Sequence, residues 1–439
     1  MTVNELRLLG QRALGVRLGG LVAAGGELLQ GTSTLRAAGL KENATIGATV
    51  RKAVLAPSQR SSAFALIRRD GSVVSWGLPN WGGDSSAVQS ELRDVQFIQA
   101  TVKAFAAVRG DGSVVTWGDK AWGGNSTAVQ ERLTSVQHVQ ASDGAFAAVR
   151  TDGGVATWGD AHLGGDSSTI QDSLVDVQQV QSTKGAFAAI RADGTVVTWG
   201  DAKRGGDSSM VQASLQNVRS VAGSKGAFAA VCGDGTVITW GYAKVGGDSS
   251  LVQNRLRGVL QVCASETAFA ALLTSGEVVT WGDAAYGGDS SEVQSQLQDV
   301  QQIASSKGAF AAICSDGSVV TWGDANRGGD SSMVREQLRD VQQIAATSGA
   351  FAAVLDNGGV VTWGYASLGG DSSSVQERLE DVQQIQASAG AFAAVLADGN
   401  VVTWGHATMG GDSSTVQEQL RRTSLPLLPV ALDSFHDAG

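Results

Sequence analysis

Nine copies of one small, β-rich module make up most of this 439-residue chain. A Trp-Gly pair closes an apolar run every 41 residues without a slip, at Trp76, Trp117, Trp158, Trp199, Trp240, Trp281, Trp322, Trp363 and Trp404. Most copies set an Asp-Gly dipeptide between two short apolar runs, and most follow the tryptophan with Gly-Gly-Asp-Ser-Ser. A fixed period of this length marks a propeller, solenoid or array, in which each unit hides its apolar face only against a neighbour. The prediction is a mainly β, nine-repeat propeller-like array of 41-residue units over 53–422, each unit three antiparallel strands plus a short helix. A small α/β segment over 1–52 precedes the array, and a C-terminal tail or closing strand over 423–439 follows it.

The unit beginning at Val136 shows the elements in order. Its first strand mixes apolar and polar residues, with Val136 and Val139 recurring as Val177/Val180, Val300/Ile303, Val341/Ile344 and Val382/Ile385. The second strand, near Ala145 to Arg150, carries a phenylalanine twelve residues before each tryptophan, from Phe64 to Phe392. Asp152-Gly153 then breaks the chain. This dipeptide accepts the positive φ of a hairpin, so the third strand, Val-Val-Thr-Trp-Gly in most copies, runs antiparallel to the second. Behind the glycine pair, an Asp or Ser oxygen suits the free N–H groups of a helix start, and Val252 and Leu256 stand four apart, as on one helical face. That spacing predicts a helix of about two turns.

The bulk numbers exclude several classes. Net charge is −10, and no Lys/Arg cluster is long enough to track phosphates, which argues against nucleic acid. No run reaches the ~18 apolar residues of a membrane span, and the N-terminus lacks a charged-then-apolar leader. A protein of the cytoplasm or nucleus is expected. Cys232, Cys263 and Cys314 are three in number and form no disulfide framework; they read as reduced small hydrophobes.

The order strand, Phe-Ala-Ala, Asp-Gly, Val-x-Trp-Gly and glycine pair resembles the repeat of the regulator-of-chromosome-condensation family, over about 370 residues. Gly-Gly-Asp-Ser-Ser stands where that family has Gly-Gln-Leu-Gly, and the unit is shorter than the family's. The resemblance implies a β-propeller with compact blades. Nine units exceed the usual four to eight blades, which leaves a wide ring and an open spiral as alternatives. Leu427, Leu428, Val430 and Leu432 stand where a tenth first strand would latch onto unit one, with Pro426 and Pro429 confining it to an edge. The order of segments in 1–52 is similar to a ubiquitin-like fold without its opening hairpin, which places Val22 at the centre of that fold's recognition patch; an unrelated amphipathic cap is the alternative.

No nucleotide-binding, zinc-protease, nucleophile-elbow or paired-cysteine motif occurs, and His138, His162, His406 and His436 fall at unrelated positions in their units. No catalytic residue, cofactor or metal is expected. The recurring carboxylates Asp84, Asp166, Asp207, Asp248, Asp289, Asp330, Asp371 and Asp412 read as caps rather than a Ca²⁺ site, which would need six to eight converging oxygens. One column of the unit varies freely: Trp81, Trp122, Leu163, Arg204, Val245, Tyr286, Arg327, Leu368 and Met409. A constant frame with one changing side chain per unit is how repeat proteins present a binding face; a tolerant exposed loop is the alternative. The expected function is a non-enzymatic protein–protein interaction scaffold. The resemblance adds a ubiquitin-pathway component as partner, with a substrate-recognition part of a HERC-type ubiquitin ligase or a guanine-nucleotide exchange factor for a small GTPase as alternative functions.

Overall fold

Alternating the two faces of one central strand explains how the units pack. In a computed structural model, which describes residues 2, 3, 6, 18–22, 34, 35, 37, 47–50, 54–56, 61–68 and 70–421, each unit is a separate three-stranded antiparallel sheet, or blade, ordered first-second-third strand. Unit three shows the pattern: Val136–Ala141 inside, Ala145–Arg150 in the middle and Val155–Gly159 outside. The inner strands of successive blades neighbour one another around a central channel. The middle strand is buried on both faces, so it is apolar throughout. In unit two, Phe105 and Ala107 face unit one, packing with Ala63, Ala65 and Ile67, while Ala104, Ala106 and Val108 face unit three, packing with Phe146 and Trp158. A bulky face thus meets an alanine face at each junction, which is why Phe-Ala-Ala repeats.

Each tryptophan belongs to two blades at once. Its ring stacks on its own blade's phenylalanine, centroids 5.1–5.2 Å apart. Its indole N–H donates to a glycine carbonyl of the preceding unit at 2.9–3.1 Å, as Trp117 does to Gly82. Gly82 sits at φ +95°, and a Cβ there would lie 2.3 Å from the Phe105 ring, so this position needs glycine twice over.

The ring closes. Trp76 of unit one donates to Gly410 of unit nine at 3.1 Å. Leu55, Phe64, Leu66, Val74 and Trp76 share a core with Ala391, Ala393, Val395, Val401 and Leu420. Nine blades therefore have nine interfaces, not the eight of an open spiral, and closure uses described residues of units one and nine. The C-terminal residues expected to latch, Leu427, Leu428, Val430 and Leu432, lie outside the described residues.

Two sequence expectations change. The predicted two-turn helices are short 3₁₀ helices in seven units, such as Thr127–Arg132, with an α turn following at Gln417–Arg421 in unit nine, and hydrogen-bonded turns without a helix in units five and six. The leucine reaches the core from the end of the turn, Leu133 having φ −88° and ψ 55°, and not from the face of a helix. A second 3₁₀ turn, unforeseen, follows each Trp-Gly, as at Lys120–Trp122. In the N-terminal segment, Leu18–Val22 pairs antiparallel with Gly47–Val50, and Thr2 bridges Thr34. Val22 ends the first of these strands, and most of the segment's other calls fall outside the described residues.

Candidate interaction face

The variable column gathers on one face because of how the outer strand leaves its sheet. Each column residue ends the 3₁₀ turn behind Trp-Gly, and in seven units its carbonyl accepts the hydroxyl of a Ser or Thr in the inner hairpin loop of the same unit. Thr101 does so to Trp122 at 3.0 Å, Ser142 to Leu163 at 2.8 Å and Ser388 to Met409 at 2.8 Å. The turn is thereby folded back over the hairpin loops.

There the column residues of adjacent units meet. A Cβ on Gly144 would stand 2.8 Å from Leu163 and 3.1 Å from Trp122; Gly185 lies likewise beneath Leu163 and Arg204, Gly308 beneath Tyr286 and Arg327, and Gly390 beneath Leu368 and Met409. Where unit two has Lys103 in place of this glycine, its ammonium lies between two indoles, 5.1 Å from the Trp81 ring centre and 4.5 Å from that of Trp122. Arg327 lies 5.4 Å from the Tyr286 ring. Val245 is buried and the other eight are half-buried. The column is thus a packed annulus, unlike a loose exposed loop. Val22 belongs to a separate two-stranded sheet and to a different part of the chain.

Inside the annulus runs a rim that sequence reading missed. One residue per inner hairpin loop joins its counterpart in the next unit by a backbone hydrogen bond of 2.8–3.2 Å, in the order Val102, Asp143, Lys184, Lys225, Glu266, Lys307, Ser348, Ala389 and Ser61. These residues vary from unit to unit as the annulus residues do, and that variation is the available signal. The channel beneath holds a cavity of about 570 Å³ lined by Gln99, Gln140, Cys263, Gln343, Gln386 and neighbours.

Charge gathers on one arc of the rim. Lys184 bonds to Glu266 two units away, and Arg327 approaches the same carboxylate at 4.0 Å. Burial would raise the Glu266 carboxyl, but Lys184, with help from Lys307 and Lys225, holds it below its ordinary value. Burial pushes the Lys307 ammonium down, opposed by Glu266.

The recurring carboxylates are occupied at the entrance of the turn, one residue ahead of the N-cap serine, whose own side chain makes no cap bond. Asp84 accepts the Ser86 N–H at 2.9 Å, and Asn125 accepts that of Thr127 at 3.0 Å. The rest of the block also has work: Ser126 links Thr116 to Gln130, whose amide donates to the Val114 carbonyl on the outer strand. Among the described residues, no three His, Cys, Asp or Glu side chains converge as metal ligands, and no helix is long and apolar enough to cross a membrane. Cys232 and Cys314 are buried in inter-blade cores, Cys263 is half-buried, and burial raises all three thiols.

No protein-family model matches the chain, and no curated protein does. Among solved structures, it is similar to the computationally designed Ika8 protein at 15% identity, over 70% of this chain and 94% of that one, with a TM-score of 0.38. Prp20p from Saccharomyces cerevisiae matches at 14% identity over 73% of this chain and 82% of its own, TM-score 0.39. Human WBSCR16 matches at 16% over 56% and 80%, TM-score 0.38.

Proposed function

We propose that the chain is a non-enzymatic protein–protein interaction scaffold that meets its partner through the annulus face. The observation that carries this reading is the contrast between a frame repeated nine times and one ring of mutually packed side chains, eight half-buried and one buried, in which Trp, Leu, Arg, Val, Tyr and Met alternate. Recurrent residues are accounted for by folding: Phe and Trp by the junctions, Asp by the turn entrances, Ser and Gln by the turns behind them. A second variable position, which includes Met210, Leu251 and Met333, stands singly exposed in the outer turns, whereas the column residues pack against one another. Binding energy concentrates in Trp, Tyr and Arg set in packed surroundings, and the Trp81–Lys103–Trp122 stack supplies a preorganised group of that kind. The partner is a protein, met in the cytoplasm or nucleus, and ubiquitin-pathway components are the first to screen, on the N-terminal resemblance alone.

The test is proximity labelling to find the partner, followed by affinity purification with the Trp81→Ala/Trp122→Ala variant. Retention should fall roughly tenfold or more, the scale of losing a hot spot. Undiminished retention by the folded variant would overturn the assignment of this face.

A further inference from the structure

The rim over units four to seven holds more positive charge than its own carboxylates neutralise. Lys184, Lys225, Glu266 and Lys307 follow one another there, joined backbone to backbone. Glu266 is held by Lys184 and approached by Arg327, and Arg327 also pairs with Asp324 at 3.3 Å. Lys225 and Lys307 flank Glu266 on either side, and neither has a carboxylate within ion-pair distance among the described residues. Lys225 is exposed and Lys307 half-buried. Asp143, on the same rim in unit three, also acts on the Lys307 charge.

A half-buried ammonium with no carboxylate at ion-pair distance is costly, and so is one with other cations beside it. On a chain of net charge −10, a cationic arc at the centre of one face is also a local reversal of sign. Such an arc steers and orients ligands of opposite charge. We propose that the channel mouth seats an acidic segment of the protein partner, whose carboxylates complete the ion pairs that Lys225 and Lys307 lack. This rests on the scaffold reading and adds to it the chemistry of what is bound.

The probe is a fluorescently labelled octaglutamate peptide, followed by polarisation on the full chain. Wild-type protein should bind it, and affinity should weaken several-fold between about 50 and about 300 mM salt as screening grows. Lys225→Glu/Lys307→Glu should reduce binding roughly tenfold or more. Should that variant melt early, Lys225→Glu alone, at an exposed position, should still weaken binding at least about threefold. Absence of peptide binding to wild type, or binding indifferent to these substitutions, would overturn the proposal. So would binding of inorganic phosphate alone at the same lysines without any of the peptide, since that marks a small-anion site. If the partner is lost with Trp81→Ala/Trp122→Ala but kept with the charge reversal, the scaffold stands and the acidic seat falls. The opposite pattern retains the seat and removes the annulus.

Discussion

The indole of Trp240 stacks on Phe228 within its own blade, 5.2 Å between centroids, while its N–H reaches the Gly205 carbonyl of the blade before. Truncating it removes a large buried surface from one junction and leaves a buried acceptor unpaired. Trp240→Ala should therefore cost about 3–5 kcal/mol, read as a shift in chemical denaturation. An unchanged midpoint would mean the junctions do not carry the stability. This residue-level role was partly visible beforehand. Burial of the tryptophans followed from their period and apolar setting, but the direction of the N–H did not, because its acceptor lies 35 residues back and belongs to a backbone group that no side-chain pattern marks.

At the level of the element, hairpins were legible and turns were not. The Asp-Gly pairs specify their loops locally: Gly153 takes φ +78°, and Asp152 accepts the Gly154 N–H at 3.0 Å. The three-residue spacing of Val136 and Val139, odd for a strand, comes from a bulge in which Val136 and Gln137 oppose Arg150. The four-residue spacing of Val252 and Leu256 imitates a helical face, yet the segment is too short to need one. Its entrance carboxylates make a pH prediction. The Asp84, Asp166, Asp207, Asp248, Asp289, Asp330, Asp371 and Asp412 carboxyls are lowered from 3.8 by the N–H and hydroxyl of the serine two residues on. A carboxyl lowered by folding adds stability above its unfolded value, and that stability is shed as pH falls through the folded value. Melting temperature should hold between about pH 7 and pH 5 and decline below about pH 4. Asp207→Asn, Asp248→Asn and Asp289→Asn together should flatten the decline, since Asn125 already makes this bond without titrating. An equally steep acid limb in that variant would assign acid sensitivity to other groups.

For the whole molecule, closure is the property no single unit encodes. It depends on a small inter-blade rotation summed nine times, which leaves no mark in any one repeat, so the sequence was equally compatible with a ring and a spiral. A sharp check compares two glycines. Gly205, at φ +95°, touches Phe228 and Trp240, and Gly410, at φ +100°, touches Phe64 and Trp76 across the closing junction. Gly410→Ala and Gly205→Ala should each cost about 2–4 kcal/mol, from backbone strain plus overpacking. If Gly410→Ala were nearly free in denaturation while Gly205→Ala was not, the ends would be apart in solution.

Each described blade takes its three strands from one uninterrupted stretch of chain, and the closing junction lends no strand from one terminus to the other. A gene with this grammar can gain or lose a whole word by recombination between near-identical copies without leaving any sheet half-written. Copy number then becomes a heritable dial on the breadth of the face and the bore of its hole.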